Sequence, residues 1–147
     1  MIRSLLFIGI ILCFSYTASA QNALLQSKDD SVIRKMLATQ VVEWNKGNIE
    51  GYMKGYWESD SLIFIGSTEQ RYGYKATLLR YKTTYPTVAH MGRLTLTVFS
   101  IQKLSEEYYF VVGRWGLQRT MGDVGGPYSL LIKRINGELV IVVDHSS

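Results

Sequence analysis

The side chains that can carry chemistry in this chain are its tyrosines, its two histidines and its carboxylates. The histidines, His90 and His145, lie on separate segments, and neither belongs to a His-x-His or HExxH pattern. The sequence therefore predicts no metal site. It also contains no Gly-x-Ser-x-Gly elbow and no glycine-rich phosphate loop that leads into a helix. What remains is acid–base chemistry, in which a histidine or a carboxylate acts together with tyrosine hydroxyls.

The position of His145 follows from the stretch Gly125 to Ser147. Two β-prone runs flank Asn136-Gly137, which is the strongest short-range signal for a hairpin. If the two strands pair without interruption from this loop, His145 lies opposite Tyr128. Side chains alternate along a strand, so the same face carries an apolar wall made of Leu130, Ile132, Leu139, Ile141 and Val143. Asp144 then points to the opposite, mixed face.

Two hypotheses follow for His145. In the first it is a general acid or base at the mouth of a cavity, with Tyr128 as its catalytic partner. In the second it donates or accepts a hydrogen bond that fixes the end of the strand. A carboxylate base in an apolar environment is not predicted, because Glu58 and Asp60 both belong to a polar turn.

Aromatic residues recur on the predicted helices and strands. Such residues either fill the core or line a cavity with their polar tips. Trp115 shares a strand face with Val111 and Leu117, whereas Arg114 points the other way. We expect the ligand-binding cavity to be lined by Trp44, Tyr52, Tyr56, Phe64, Tyr81, Trp115, Tyr128, Leu139 and His145.

Hydrophobic periodicity predicts helices first and strands afterwards. A helix begins near Asp29–Ser31 and stops at Gly47, and Asn48 caps a second, aromatic helix. A short strand, a second possible strand, and a third helix that opens after Gly73 follow. From His90 onward the period changes to two, which is typical of strands. The order α-α-β-(β)-α-β-β-β-β predicts an α+β domain in which helices cover one face of a curved antiparallel sheet.

The first twenty residues have the pattern of a secretory signal peptide: a short positive start, an apolar run, and Ala18-Ser19-Ala20 as a small-x-small cleavage site. We therefore divide the chain into a signal peptide at 1–20, a polar leader at 21–29 and a domain at 30–147. The protein is expected to be exported, to the periplasm or the extracellular space. Cleavage removes Cys13, the only cysteine, which excludes disulfides and thiol catalysis.

Removal of residues 1–20, which contain Arg3 and no acidic residue, lowers the formal charge from +4 to +3. The remaining basic residues are scattered and form nothing longer than pairs. Binding to nucleic acid needs a clustered basic patch, so nucleic acid is not an expected partner. Once the signal has been cleaved, no membrane partner is expected either.

Several segments together resemble the nuclear-transport-factor-2-like (NTF2-like) superfamily, and within it the SnoaL-like, DUF4440-type group of small bacterial proteins. They are Trp44–Asn48 with Gly51-Tyr52, Phe64–Gly66, Gly73-Tyr74, Gly113–Trp115 and Ile141–Ser147. The resemblance covers the chain from Asp30 onward. It departs at Leu139, where this group often has a tryptophan.

The resemblance implies a cone, in which a bent sheet wraps three helices around a cavity. Members include cofactor-independent isomerases, dehydratases and cyclases, and also domains that only bind or dimerise. We expect a small apolar or aromatic ligand and no cofactor. The alternatives are an enzyme of that type, which uses His145 with a tyrosine, and a homodimerisation module with a filled cavity. The homodimer would form through the outer sheet face, which carries Leu131, Val140 and Val142.

Overall fold

Two helices, two short strands and two further helices precede four long strands along the described chain, and the periodicity predicts this order apart from the fourth helix. The computed structural model describes residues 28–147, in which a compact unit runs from Ile33 to Ser147. The predicted signal peptide and residues 21–27 of the predicted leader lie outside the described residues. No helix in the described part is long and apolar enough to cross a bilayer.

The helical boundaries follow local signals in the sequence. Helix α1 covers 28–45 and is followed by Gly47, whose φ of 79° is the left-handed conformation that ends a helix. Helix α2, Ile49–Met53, is capped by Asn48, whose side-chain oxygen accepts a hydrogen bond from the Gly51 amide at 2.9 Å. Both of these predictions are confirmed.

Helix α3 spans Tyr74–Thr84, and it begins after Gly73 and ends before Pro86, as predicted. One further turn, helix α4 at Val88–Met91, was not predicted. Its N-cap is Thr87, whose hydroxyl accepts a hydrogen bond from the His90 amide.

Six strands form one sheet in the order β2-β1-β6-β5-β4-β3. Their bounds are β1 Ile63–Ile65, β2 Gln70–Tyr72, β3 Arg93–Lys103, β4 Tyr108–Gln118, β5 Val124–Ile135 and β6 Glu138–Ser146. The long strands β3 to β6 form the predicted antiparallel meander. The pairing of β1 with β6 is parallel, so the sheet is mixed.

The β5–β6 hairpin turns at Asn136 and Gly137, whose positive φ values of 52° and 86° fit a type I′ turn. Near this turn the predicted register is correct, and Ile132 pairs with Ile141. One residue farther along, Leu131 pairs with Val143, so Val142 is an extra residue in β6.

This bulge makes the predicted register wrong for the rest of β6. Tyr128 pairs with Ser146 rather than with His145, and Leu130 pairs with Asp144. A physical reason lies in the neighbouring residues. Ile141 exchanges backbone hydrogen bonds with Gly55 and Trp57, and the extra residue allows Ile141 and Val142 both to be buried.

The core lies between the helices and one face of the sheet. Buried residues of α1, α2 and α3 form a single apolar cluster with residues of β4, β5 and β6. Along β4 the inward positions are Tyr109, Val111, Gly113, Trp115 and Leu117, in the alternation that a half-buried strand requires. This inward face becomes one wall of a cavity.

Candidate functional site

A cavity of about 370 Å³ lies between the helices and the inner face of the sheet. This volume is within the usual range for small-molecule sites, about 300–1,000 Å³. Most of its wall is aromatic or aliphatic. The lining comprises Leu37, Gln40, Trp44, Tyr52, Tyr56, Phe64, Ser67, Arg80, Tyr81, Thr84, Tyr85, Leu94, Leu96, Trp115, Leu117, Arg119, Val124, Tyr128, Leu130, Ile141, Asp144, Ser146 and Ser147.

A buried carboxyl group, that of Asp144, forms part of the wall. It is 2% exposed. Its Oδ2 accepts a hydrogen bond from the Tyr56 hydroxyl at 2.6 Å, and its Oδ1 accepts one from the Ser146 hydroxyl at 2.6 Å. Burial raises the pKa of this carboxyl above its ordinary value of 3.8, and the two hydrogen bonds offset only part of the rise.

Three tyrosine hydroxyls meet beside Asp144. Tyr56 Oη lies 3.2 Å from Tyr52 Oη and 3.4 Å from Tyr81 Oη, and the last two are 3.5 Å apart. Burial, and then the charge of Asp144, holds the pKa of Tyr56 well above its ordinary value. Burial likewise raises the pKa of Tyr52 and Tyr81. These hydroxyls therefore stay protonated at neutral pH and partner one another and the carboxyl.

The indole of Trp44 supports this cluster from the side of α1. Its ring meets those of Tyr85, Tyr52 and Tyr81 edge-on, with centroids 4.9, 5.1 and 6.0 Å away. Its Nε1 donates a hydrogen bond to the Met91 carbonyl at 3.2 Å. Because this donor already has a partner, Trp44 contributes an apolar surface to the cavity.

A cation also reaches the wall. The guanidinium carbon of Arg80 lies 4.4 Å from the centre of the Phe64 ring. Its Nε donates a hydrogen bond to the Glu69 carboxylate at 2.6 Å, and Glu69 also pairs with Arg71. The Glu69 carboxylate is thus shared by two guanidinium groups, and the positive charge of Arg80 also acts on Asp144, whose pKa it lowers.

The sheet side of the cavity differs from the helix side. Among residues 28–147, two buried side-chain polar atoms have no hydrogen-bond partner, and they are Tyr128 Oη and Trp115 Nε1. Burial raises the pKa of Tyr128 to about 12, so this hydroxyl keeps its proton. The ring lies directly over Gly113, where a Cβ would collide with Tyr128 and with the Thr97 carbonyl. Glycine at 113 therefore makes room for the Tyr128 ring.

The fold is similar to that of solved structures. One is described as an NTF-2 like protein of unknown function from Shewanella oneidensis MR-1. Its identity is 37% and its TM-score 0.78, and the match covers 81% of this chain and 98% of that one. The chain belongs to the NTF2-like superfamily.

More distant NTF2-like structures share the fold alone. An NTF2-like protein of unknown function from Pseudomonas putida KT2440 is 12% identical with a TM-score of 0.68, over 82% of this chain and 87% of that one. A ketosteroid isomerase-like protein from Erwinia carotovora atroseptica is 14% identical with a TM-score of 0.63, over 80% and 93%. No protein-family model and no curated protein matches this chain.

Seven of the nine residues that we expected to contact a ligand line the cavity of this NTF2-like domain. Leu139 is buried in the core but is not part of the lining. His145 is exposed, because the bulge turns it to the outer face opposite Ser129. The predicted placement of His145 beside Tyr128 is therefore wrong, and Asp144 takes the inward position. The binding and catalytic roles of these residues remain predictions.

The residue that the sequence argument missed is Asp144. Strict alternation from Asn136-Gly137 assigned it to the outer face. The available signal was the run Leu139 to Val143, because five apolar residues in succession cannot all obey an alternating pattern. In residues 28–147, no group of three or more His, Cys, Asp or Glu side chains is placed to hold a metal ion.

Proposed function

We propose that this NTF2-like protein binds a small apolar or aromatic molecule in its cavity. The observation that carries the proposal is a 370 Å³ space walled mainly by aromatic and aliphatic side chains, two of which, Trp115 and Tyr128, carry buried donors without a partner. A few placed polar groups in an apolar wall are the usual composition of a ligand site.

A cavity-filling variant tests this proposal. Leu96 lines the cavity, and its neighbour Thr97 is exposed on the other face of β3. We expect wild type to bind the probe 2-acetylnaphthalene saturably in calorimetry. Leu96→Trp should lower the affinity about tenfold or more, whereas Thr97→Trp should leave it unchanged, with thermal melts showing that both variants fold. Absence of saturable binding to wild type, or an equal loss in both variants, would overturn the proposal.

A second function, cofactor-independent isomerisation, dehydration or cyclisation, is favoured by one observation. Asp144 is a buried carboxyl in the cavity wall, which is the base that this chemistry requires. When ionised it can take a proton from the carbon beside a carbonyl, and the resulting acid can return a proton to carbon. A tyrosine hydroxyl would stabilise the oxygen anion that develops. In this proposal Asp144, rather than the exposed His145, is the general base.

Deuterium exchange tests the second function without knowledge of the substrate. The methyl protons of 2-acetylnaphthalene should exchange in D₂O faster with wild type than in buffer, as followed by proton NMR. Asp144→Asn should return the rate to that of buffer. A wild-type rate equal to that of buffer would exclude proton abstraction from this probe and leave the binding proposal intact.

We also propose a homodimer through the outer face of the sheet. Phe99 is 65% exposed and Phe110 36%, and Phe110 pairs with Leu131 across β4 and β5. Val142 contributes little, because the bulge buries it to 8% exposure. Light scattering at micromolar concentration should give the mass of a dimer, and Phe110→Lys should convert it to a monomer. A monomeric wild type would contradict this.

Export also stays a proposal. We infer that cleavage before Gln21 releases the mature protein from the cytoplasm, on the sequence pattern of residues 1–20. Mass spectrometry of the protein from its native cells should give a chain that starts at Gln21. A chain that keeps Met1, or a lipid on Cys13, would contradict cleavage at this site.

A further inference from the structure

Two buried donors without a partner, Tyr128 Oη and Trp115 Nε1, indicate the chemical class of the ligand, which the size of the cavity does not. About nine in ten buried polar groups in proteins have a partner, and leaving one without costs about 1–3 kcal/mol. Other polar groups of the lining do have partners: Tyr56 and Ser146 donate to Asp144, and Gln40 donates to the Tyr52 carbonyl at 3.0 Å. Among the buried polar atoms of the described residues, the deficit is thus confined to the sheet side.

Both unpartnered atoms offer a hydrogen. Each has almost no exposed surface, so a ligand reaches them only when their side chains turn toward the cavity. An indole Nε1 can only donate. Tyr128 keeps its proton at neutral pH, because burial raises its pKa to about 12. The two side chains lie on one face of neighbouring strands, since Tyr128 pairs with Gly113 and Trp115 pairs with Gly126. A group that satisfies them must therefore accept hydrogen bonds, and a carbonyl oxygen has two lone pairs to do so.

The charges that act on Tyr128 favour a neutral acceptor over an anion. Asp144, whose charge contributes to the raised pKa of Tyr128, belongs to the same wall. The positive charge of Arg34 has a smaller effect on the pKa of Tyr128, and Arg80 is paired with Glu69. An anion would meet the Asp144 carboxylate at the side of the cavity where the unpartnered donors lie.

We infer that the cavity takes a neutral aromatic molecule that carries a carbonyl or ether oxygen, and that Tyr128 and Trp115 bind this oxygen. The inference rests on the proposed binding function. It adds the chemical class of the ligand and the two side chains that recognise it.

Three probes of similar size test it: 2-acetylnaphthalene, which carries a neutral acceptor, 2-ethylnaphthalene, which carries none, and 2-naphthoate, an anion. In calorimetry at neutral pH, wild type should bind the acetyl compound about tenfold tighter than the ethyl compound. Tyr128→Phe and Trp115→Phe should each reduce this ratio several-fold. Tyr108→Phe, which alters a tyrosine of β4 outside the cavity lining, should keep it. The naphthoate should bind more weakly than the acetyl compound.

The outcomes separate this inference from the proposal beneath it. Equal affinities for the acetyl and ethyl compounds would overturn the inference but leave the binding proposal intact. This result is expected if water is the partner of the two donors. A preference for the naphthoate would overturn the neutral class. A ratio that survives in both phenylalanine variants would overturn the roles of Tyr128 and Trp115. Absence of saturable binding by all three probes would overturn the binding proposal itself.

Discussion

The two sides of the cavity use the same kind of side chain in opposite ways. On the helix side, Tyr52, Tyr56 and Tyr81 direct their hydroxyls at one another, and Tyr56 also donates to Asp144. On the sheet side, Tyr128 is as buried as Tyr56 and Tyr81, but its hydroxyl has no partner. A satisfied network stabilises the fold, whereas an unsatisfied donor costs stability until a ligand arrives.

This difference indicates which side of the cavity is expected to bind the polar group of a ligand. The helix-side hydroxyls can be offered to a ligand only if they leave their present partners. The Tyr128 hydroxyl can be offered without that loss, and Gly113 makes room for its ring. Substitutions on the two sides should therefore have opposite effects on stability.

The largest effect is expected for Tyr56→Phe. The change leaves Asp144 Oδ2 without its donor in a buried site, and we expect the free energy of unfolding to fall by about 1–3 kcal/mol. Chemical denaturation at neutral pH measures it. Tyr52→Phe is the matched control, because its hydroxyl bonds only to other tyrosine hydroxyls, and it should cost less. Equal costs would show that the bond to Asp144 has no special weight.

The next effect is a pH dependence that Asp144 introduces. Its pKa is raised in the folded protein, so the folded state favours the protonated form. The contribution of this group to stability is therefore complete below its ordinary pKa of 3.8 and is lost as the pH rises through the folded-state pKa. As the pH rises through this range, the melting temperature of wild type should fall relative to that of Asp144→Asn. Thermal melts of both proteins measure the difference. A gain by wild type instead would mean that the Tyr56 and Ser146 bonds outweigh desolvation.

Much of the fold could be predicted from local signals. The apolar spacing of α1, the Asn48 cap and the Asn136-Gly137 turn each depend on a few neighbouring residues, and each is confirmed. The parallel pairing of β1 with β6 was not predicted, because it depends on contacts between distant parts of the chain.

The candidate site was predictable only in part, and for a physical reason. Aromatic residues on inward faces can be identified by periodicity, and Tyr56, Trp115 and Tyr128, which were expected to contact a ligand, do lie in the cavity lining. The inward position of Asp144 depends on one extra residue at Val142. Ile141 and Val142 are both apolar, so alternation alone does not reveal which of them begins the new register.

Tyr128→Phe tests the sheet side of the comparison through stability. The hydroxyl is buried without a partner, so its removal deletes an unsatisfied group and leaves the ring over Gly113. We expect the free energy of unfolding to stay constant or to rise, by up to about 1 kcal/mol. Denaturation without ligand measures it beside Tyr56→Phe. A loss as large as that of Tyr56→Phe would show that the hydroxyl has a partner in solution, and the contrast between the two sides would fail.

The smallest effect is expected for His145→Ala, which tests the register on which the comparison depends. Without the bulge, His145 would lie beside Tyr128 in the cavity, and its loss would cost about 1–2 kcal/mol or impair probe binding. In the structure His145 is exposed and pairs with Ser129, so we expect a change within about 0.5 kcal/mol. Affinity for 2-acetylnaphthalene should also be unchanged. The measurements are denaturation and calorimetry on this variant, with Asp144→Asn beside it. If His145→Ala alone lowers affinity while Asp144→Asn does not, then His145 faces the cavity and the uninterrupted register is the correct one.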